Sequence, residues 1–479
     1  MNNDNTDKRL GFWSLTAIVF GMMVGSGLYN IPQNLAVGAG PLASLLAWGI
    51  TAVGMLFLVA TFKILADRRP DLDAGIYQYT QACFGNFAGF NIAWGYWLCI
   101  AFANIAYSVM LNDSFGAFWA PLLDHGWPTL IFCTILIWGM YFLVAGGIKT
   151  ARFINNLMAV VKVAAIVLVV VLLALNFRYG TFSAGFFADG LGSADLITQI
   201  KSTMLITLWC FIGIEGAVMM SARAKRPSDV GKAGVAGFAI AWLLYVLVSM
   251  LCYGVMTRAR LAGLQDPSVA YVLQEICGAW AYYFVITAII VSLLGGWLAW
   301  TLVCAQVPYE AAVVHIFPRS FLRTNRHDMP GFGLVVSSVA MEVFLLMVLM
   351  ADDVYLVALN IASVMVLPAY LMSGVFLWKL SFGRELRSLE SRQSLARIRF
   401  VAMGCVVYCL WLIYAGGLDF FAFTSFFYLA GCGFYMKSRS ERAARGPLKP
   451  SRADVITLLL IASGLGVSIW LLSSGHSPF

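Results

Sequence analysis

Trp209-Cys210-Phe211-Ile212-Gly213-Ile214-Glu215-Gly216 decides how this chain is read. The octet lies inside a largely apolar run from about Ser202 to Met220, long enough to cross a bilayer as one helix. Two glycines and a carboxylate in its middle argue against a regular helix. Glycine weakens helix, and a carboxylate is costly in lipid. Such interruptions are tolerated where the backbone lines a cavity inside the protein. A second run is broken in the same way: Gly21-Met22-Met23-Val24-Gly25-Ser26-Gly27, within about Phe12 to Val37.

Composition sets the frame for both breaks. The 479 residues are 61% hydrophobic and only 11% charged, far fewer charges than a soluble domain carries. This predicts an all-α polytopic membrane protein. No cleavable signal peptide is evident: the first apolar run is too long and lacks a small-residue cleavage site. Most of the ten cysteines, among them Cys99, Cys133, Cys210 and Cys304, lie inside apolar runs without paired metal-ligand spacing, and read as small apolar residues. No cofactor or metal is expected.

About thirteen spans are expected at roughly 20 apolar residues each, near 12–37, 41–65, 86–111, 127–146, 154–176, 202–221, 233–256, 279–307, 331–350, 354–379, 399–416, 418–436 and 454–473. If one of the last three segments does not cross, the count is twelve. Most cations fall in alternate loops, and the intervening loops hold only Arg178, Lys201, Arg258 and Arg260. Lys8 and Arg9 precede the first span, Arg68 and Arg69 follow the second, and Arg223, Lys225 and Arg226 follow the sixth. Lys437, Arg439, Arg442, Arg445, Lys449 and Arg452 follow the twelfth. The positive-inside rule places these loops and the N-terminus in the cytoplasm. The net charge of +8 is therefore topological, and nucleic-acid binding is not implied.

The broken spans are the first and the sixth, five apart. A repeat of an odd number of spans is inverted in the membrane, which is the five-plus-five arrangement of the leucine-transporter-like fold, with its site between the repeats. The expected transport core is residues 1–379, with repeats over about 12–176 and 202–379 and additional C-terminal helices over 399–473. Gly25-Ser26-Gly27 would unwind the first span, and Gly213 the sixth. The freed N–H groups and positive ends of the following half-helices suit a carboxylate. The plain alternative is close helix packing at small residues. Pro32, with Asn30, Gln33 and Asn34, suggests an irregular exit from the first break.

Several motifs carry a family resemblance. Val24-Gly25-Ser26-Gly27-Leu28 with Ile31-Pro32-Gln33-Asn34-Leu35-Ala36 resembles the first-span signature of the amino acid–polyamine–organocation superfamily. Gly75-Ile76-Tyr77-Gln78-Tyr79, Ala93-Trp94-Gly95-Tyr96-Trp97-Leu98, and Ile206 through Val218 continuing to Asp229-Val230-Gly231-Lys232-Ala233 are similar to its basic amino acid/polyamine antiporter branch. Within that branch the nearest resemblance is to bacterial arginine/ornithine antiporters, over nearly the whole chain. It implies a multi-pass protein of the bacterial inner membrane, embedded in the lipid bilayer, with small cationic amino acids or amines as partners and a homodimer permitted.

The resemblance also implies roles. Trp209 would stack on the substrate's cationic side chain, where a cation over an indole gains about 0.5–2 kcal/mol; packing is the alternative. Trp297, in Gly295-Gly296-Trp297, matches a second substrate-facing tryptophan, although relatives often keep a tryptophan at the position of Trp300 instead. Asn104 matches a residue that hydrogen-bonds the distal cationic group, but any buried amide must find partners. Glu215 would be a gate sensitive to proton or substrate, the alternative being an ion pair with Arg223. Lys162, deep in the fifth span, would take the place of a structural sodium ion and brace the first span. Glu342 has no family role and should face protein. Tyr29, Tyr96, Tyr107, Tyr309 and Tyr355 are candidates for gates that spacing cannot sort.

The functional expectation is exchange of a cationic amino acid for a related amino acid or amine, arginine for ornithine foremost. Arginine/agmatine, histidine/histamine and lysine/cadaverine exchange share the same plan. Lys162 and Glu215 would equally serve a proton-coupled importer. An enzyme is not expected, because the four histidines form no metal-binding pair and no nucleophile cluster is present. A sensor would carry a soluble output domain, and the longest loops are roughly 25 residues.

Overall fold

In the first apolar run the helix stops just before Gly25. Helix α1 spans Phe12–Met23 and α2 spans Gly27–Gly38, and their axes differ by 46°. The computed structural model describes residues 11–25, 27–72, 75–186, 193–216, 225–350, 353–384, 386, 391–443 and 452–474, with backbone alone at 148–160, 227–228, 348 and 453. Ser26 thus lies outside the described residues. The helix α2 continues through Pro32 to Gly38, so the exit from the break is regular where an irregular one was expected. A tertiary contact makes this possible. Ser268 Oγ donates to the Tyr29 carbonyl at 3.2 Å and accepts from the Gln33 N–H at 3.4 Å, replacing the ladder bond lost beside the proline.

Next come α3 (Pro41–Arg68), α4 (Tyr77–Phe84), α5 (Asn86–Gly116), α6 (Trp127–Ala145), α7 (Ile148–Leu175) and α8 (Tyr179–Phe186). The sixth segment begins as α9, Ser193–Trp209. The chain then runs through α10 (Pro227–Val255), α11 (Arg258–Ala262), α12 (Ser268–Cys277), α13 (Ala279–Val313), α14 (Gly331–Val348), α15 (Val354–Leu380), α16 (Arg392–Ala415), α17 (Leu418–Ala443) and α18 (Arg452–Ser473). Every segment expected to cross contains helix. Nine of the described helices are long and apolar enough to span a bilayer, or eleven if each bent pair counts once. The short helices α4, α8, α11 and α12 fall where only loops were expected. α8 turns 86° away from α7 and so leaves its axis.

α5 is the centre of the bundle, with 94% of its apolar window buried. A helix buried on all sides has no polar face to show, which is why its sequence carries no amphipathic period. It packs against α13 and α15. α1 lies against α10, and α3 bridges α9, α10 and α16. At the periphery, α6 and α18 bury only 28% and 11% of their apolar windows. Their exposed Ile131, Ile135, Phe142, Leu459 and Trp470 form a surface suited to lipid rather than water.

Candidate functional site

The two helix breaks meet. α9 ends at Trp209, and the backbone tightens into i→i−3 bonds: Phe211 N–H to Leu208 O at 2.9 Å, Ile212 to Trp209 at 3.2 Å, and Ile214 to Phe211 at 3.1 Å. Gly213 then adopts φ +108°, a conformation that side chains rarely take. A Cβ there would also come within 3.1 Å of Met22 Cβ and 3.0 Å of the Trp300 ring. Glycine is required at this point twice over, for backbone angle and for space. In the first break, a Cβ on Gly27 would approach Trp209 Cδ1 to 3.2 Å, so the two interrupted segments touch directly.

A buried cavity sits at this junction. Gly25, Gly27, Tyr107, Trp209, Tyr245 and Trp300 line it, with Met22, Met23, Ala103 and Ile212 completing the wall. Tyr107 of α5 is wedged between the first break and α13. Its hydroxyl occupies the place of a Cβ on Gly25, and its ring lies 3.2 Å from the place of a Cβ on Gly296. Tyr245 of α10 donates to the Met23 carbonyl at 2.9 Å, satisfying an acceptor at the end of α1 that the helix leaves open. Trp48 stacks on Tyr245 with centroids 5.8 Å apart, fixing that ring from behind.

Glu215 lies just past Gly213 and is fully buried. Its Oε1 accepts from the Tyr96 hydroxyl at 2.6 Å, its Oε2 from the Tyr370 hydroxyl at 2.8 Å, and the Gly213 N–H reaches Oε2 at 3.2 Å. This carboxyl ties α5 and α15 to the turn of the sixth segment. Arg223, the alternative partner, lies outside the described residues. Lys162 of α7 is buried, and its Nζ donates to the Gly21 carbonyl at 3.2 Å. A cation at the C-terminal end of α1 complements that end's partial negative charge.

Of the residues singled out from sequence, Gly25, Gly27 and Trp209 therefore stand on the cavity wall, and Gly213 and Glu215 form the adjoining turn. Asn104 is buried but is absent from the lining, because its neighbour Ala103 takes the cavity side of α5. Neither amide atom of Asn104 has a hydrogen-bond partner among the described residues. Trp297 is fully buried, its indole N–H has no partner among the described residues, and it too is absent from the lining. Trp300, three residues further along α13, occupies the wall instead. Among the five tyrosines, Tyr96 and Tyr107 take positions at the site. Tyr245 and Tyr370 were not singled out, since each lies in an apolar helix with nothing local to mark it. Glu342 faces α6, where Thr134 Oγ1 donates to its Oε2 at 2.9 Å.

Two solved structures share this architecture. MhsT in complex with L-phenylalanine superposes with a TM-score of 0.58 at 14% identity, covering 84% of this chain and 98% of that one. A Na+-coupled sialic acid symporter superposes at 0.54 and 10% identity, covering 87% and 91%. The protein is a multi-span helical membrane protein of the leucine-transporter-like fold. The amino acid permease family matches residues 10–440, and the chain belongs to that family: it is a transporter, not an enzyme. Its relatives include the arginine/agmatine antiporter of Chlamydia caviae, 38% identical over 99% of both chains. That of Chlamydia trachomatis serovar L2 is 37% identical over 97% of both.

Proposed function

We propose that the protein exchanges arginine for a smaller cationic product across the bacterial inner membrane, by alternating access around the cavity at the two helix breaks. The observation that carries this reading is the convergence of both interrupted helices on Trp209, Trp300 and Tyr107. Unwound backbone offers N–H groups and carbonyls to an amino acid's carboxylate and ammonium, and indole faces suit a guanidinium. Gly25, Ser26, Gly27 and Gly213 serve the carboxylate end. Trp209, with Trp300 on the wall and Asn104 and Trp297 behind it, serves the cationic end. Glu215 with Tyr96 and Tyr370 is the gate, and Lys162 stands where a cation would brace the first span. Residues 1–379 form the transport core, within which one bundle rocks about the site, with 399–473 outside it and the N-terminus in the cytoplasm.

The names of the full-length relatives support agmatine as the counter-substrate, whereas the motif resemblance supports ornithine. Charge separates the two. Arginine and ornithine each carry one net positive charge, so their exchange is electroneutral. Agmatine lacks the carboxylate and carries two, so its exchange for arginine moves charge. The deciding experiment is counterflow into proteoliposomes loaded with agmatine, ornithine or nothing, with labelled arginine outside and the membrane potential clamped. Uptake that requires a load establishes exchange, and potential-dependence with the agmatine load identifies that pair. Equal uptake into empty vesicles, driven by a proton gradient, would replace the exchanger with a proton-coupled importer.

A further inference from the structure

At the end of the molecule that carries the basic loops, a cleft opens between α17 and the segment following α13. His315, Phe317, Arg319, Ser438, Glu441 and Arg442 line it. The segment is stapled to α17 on both sides of the cleft. Ser438 Oγ donates to the His315 carbonyl at 3.4 Å, and the Arg319 backbone N–H donates to Glu441 Oε2 at 2.7 Å. The Arg442 guanidinium is positioned by two contacts. Its Nε donates to the Ser438 carbonyl at 3.4 Å, and its Cζ stands 5.4 Å from the Tyr435 ring centroid. Its Nη2 is shielded from solvent and has no hydrogen-bond partner among the described residues.

A buried guanidinium nitrogen without an acceptor is costly, and in a native protein it calls for a bound anion or water. Glu441 accepts from the Arg319 N–H, and no hydrogen bond joins it to Nη2. The cleft lining holds two guanidinium groups and the Glu441 carboxylate, and the Asp454 carboxylate acts on Tyr435 beside it. Lys437 and Arg439 adjoin it on α17, and Arg445, Lys449 and Arg452 follow in sequence. Basic pockets between spans beside such a cluster suit phosphate headgroups, because a guanidinium fork matches phosphate oxygens.

We propose that this cleft binds a phosphate group through Arg442 and Arg319, presented either by an anionic phospholipid or by a soluble phosphate. The site is separate from the transport cavity and does not depend on the substrate pair. The full-length protein in a zwitterionic detergent is titrated with phosphatidylglycerol, phosphatidylcholine or inorganic phosphate while its melting temperature is followed. Saturable stabilisation by phosphatidylglycerol but not phosphatidylcholine marks the lipid as the source, and an equal, competing shift from inorganic phosphate marks a soluble phosphate. Arg442→Gln and Arg319→Gln should each raise the half-saturating concentration about tenfold, the loss expected for one charge-assisted contact. Lys232→Gln, an exposed cation near the start of α10, should leave it unchanged. Arg319→Gln keeps the test valid if Arg442→Gln does not fold, because the Arg319 side chain is exposed. No stabilisation by either phosphate source overturns the proposal. So does equal binding by the arginine variants, or equal loss in Lys232→Gln.

Discussion

Lys162 Nζ donates to the carbonyl oxygen of Gly21 at 3.2 Å, joining α7 to the last turn of α1 directly before the first helix break. The ammonium stands where the helix end presents unsatisfied carbonyls. Lys162→Ala should abolish exchange or make it depend on an added cation, measured as counterflow with and without sodium. Normal sodium-free exchange in this variant would remove Lys162 from the transport machinery.

The Tyr107 hydroxyl fills the space that a side chain at Gly25 would need. Gly25→Ala should lower the exchange rate by at least about tenfold, in line with the cost of overpacking. Adding Tyr107→Phe removes the colliding oxygen and should restore part of the rate. Equal defects in the single and double variants would show that Gly25 serves backbone conformation rather than space.

Trp209→Leu should raise the KM for arginine by roughly half to one and a half decades, the range of a desolvated cation–π contact. Trp300→Leu should do the same and Trp297→Leu should affect KM less, since Trp300 stands on the cavity wall and Trp297 does not. The reverse order would move the cationic end of the substrate to a different face of α13.

Glu215 accepts from two tyrosine hydroxyls at once, and a glutamine at that position offers a single acceptor oxygen. Glu215→Gln should flatten the pH profile of exchange, and Tyr370→Phe should slow exchange while leaving a pH response. An unaltered profile in Glu215→Gln would confine the carboxyl to holding α5 and α15 together.

His125, in the loop after α5, lies 2.8 Å from Asp113 Oδ1, and this hydrogen bond raises the imidazole above its ordinary range. A raised folded-state pKa stabilises the fold fully below the unfolded value of about 6.5 and loses that contribution as pH rises through the folded value. The ring is partly exposed, so the effect is about 1 kcal/mol or less. The melting temperature should therefore decline from pH 6 to pH 8.5, and His125→Gln should reduce that decline. An identical decline in the variant would assign it to other groups.

What the sequence determined by itself is the membrane class, the alternation of basic loops, and the two places where the helix had to stop. Those properties are local or additive. Apolar length, loop charge, and glycine beside a carboxylate at Gly213 and Glu215 each act without knowing their neighbours. It also marked Lys162 and Glu215 as groups needing partners, because an ionisable side chain inside a span cannot go without them. Only the tertiary structure decided which partners they took, namely the Gly21 carbonyl for one and Tyr96 with Tyr370 for the other. It likewise placed Trp300 rather than Trp297 at the cavity, and brought Tyr107 and Tyr245 to its wall. The physical reason is that helices such as α5 and α13 are apolar nearly all round. Without an alternation of polar and apolar faces, no periodicity in the sequence records which side of such a helix meets the cavity, and packing against its neighbours alone sets that rotation.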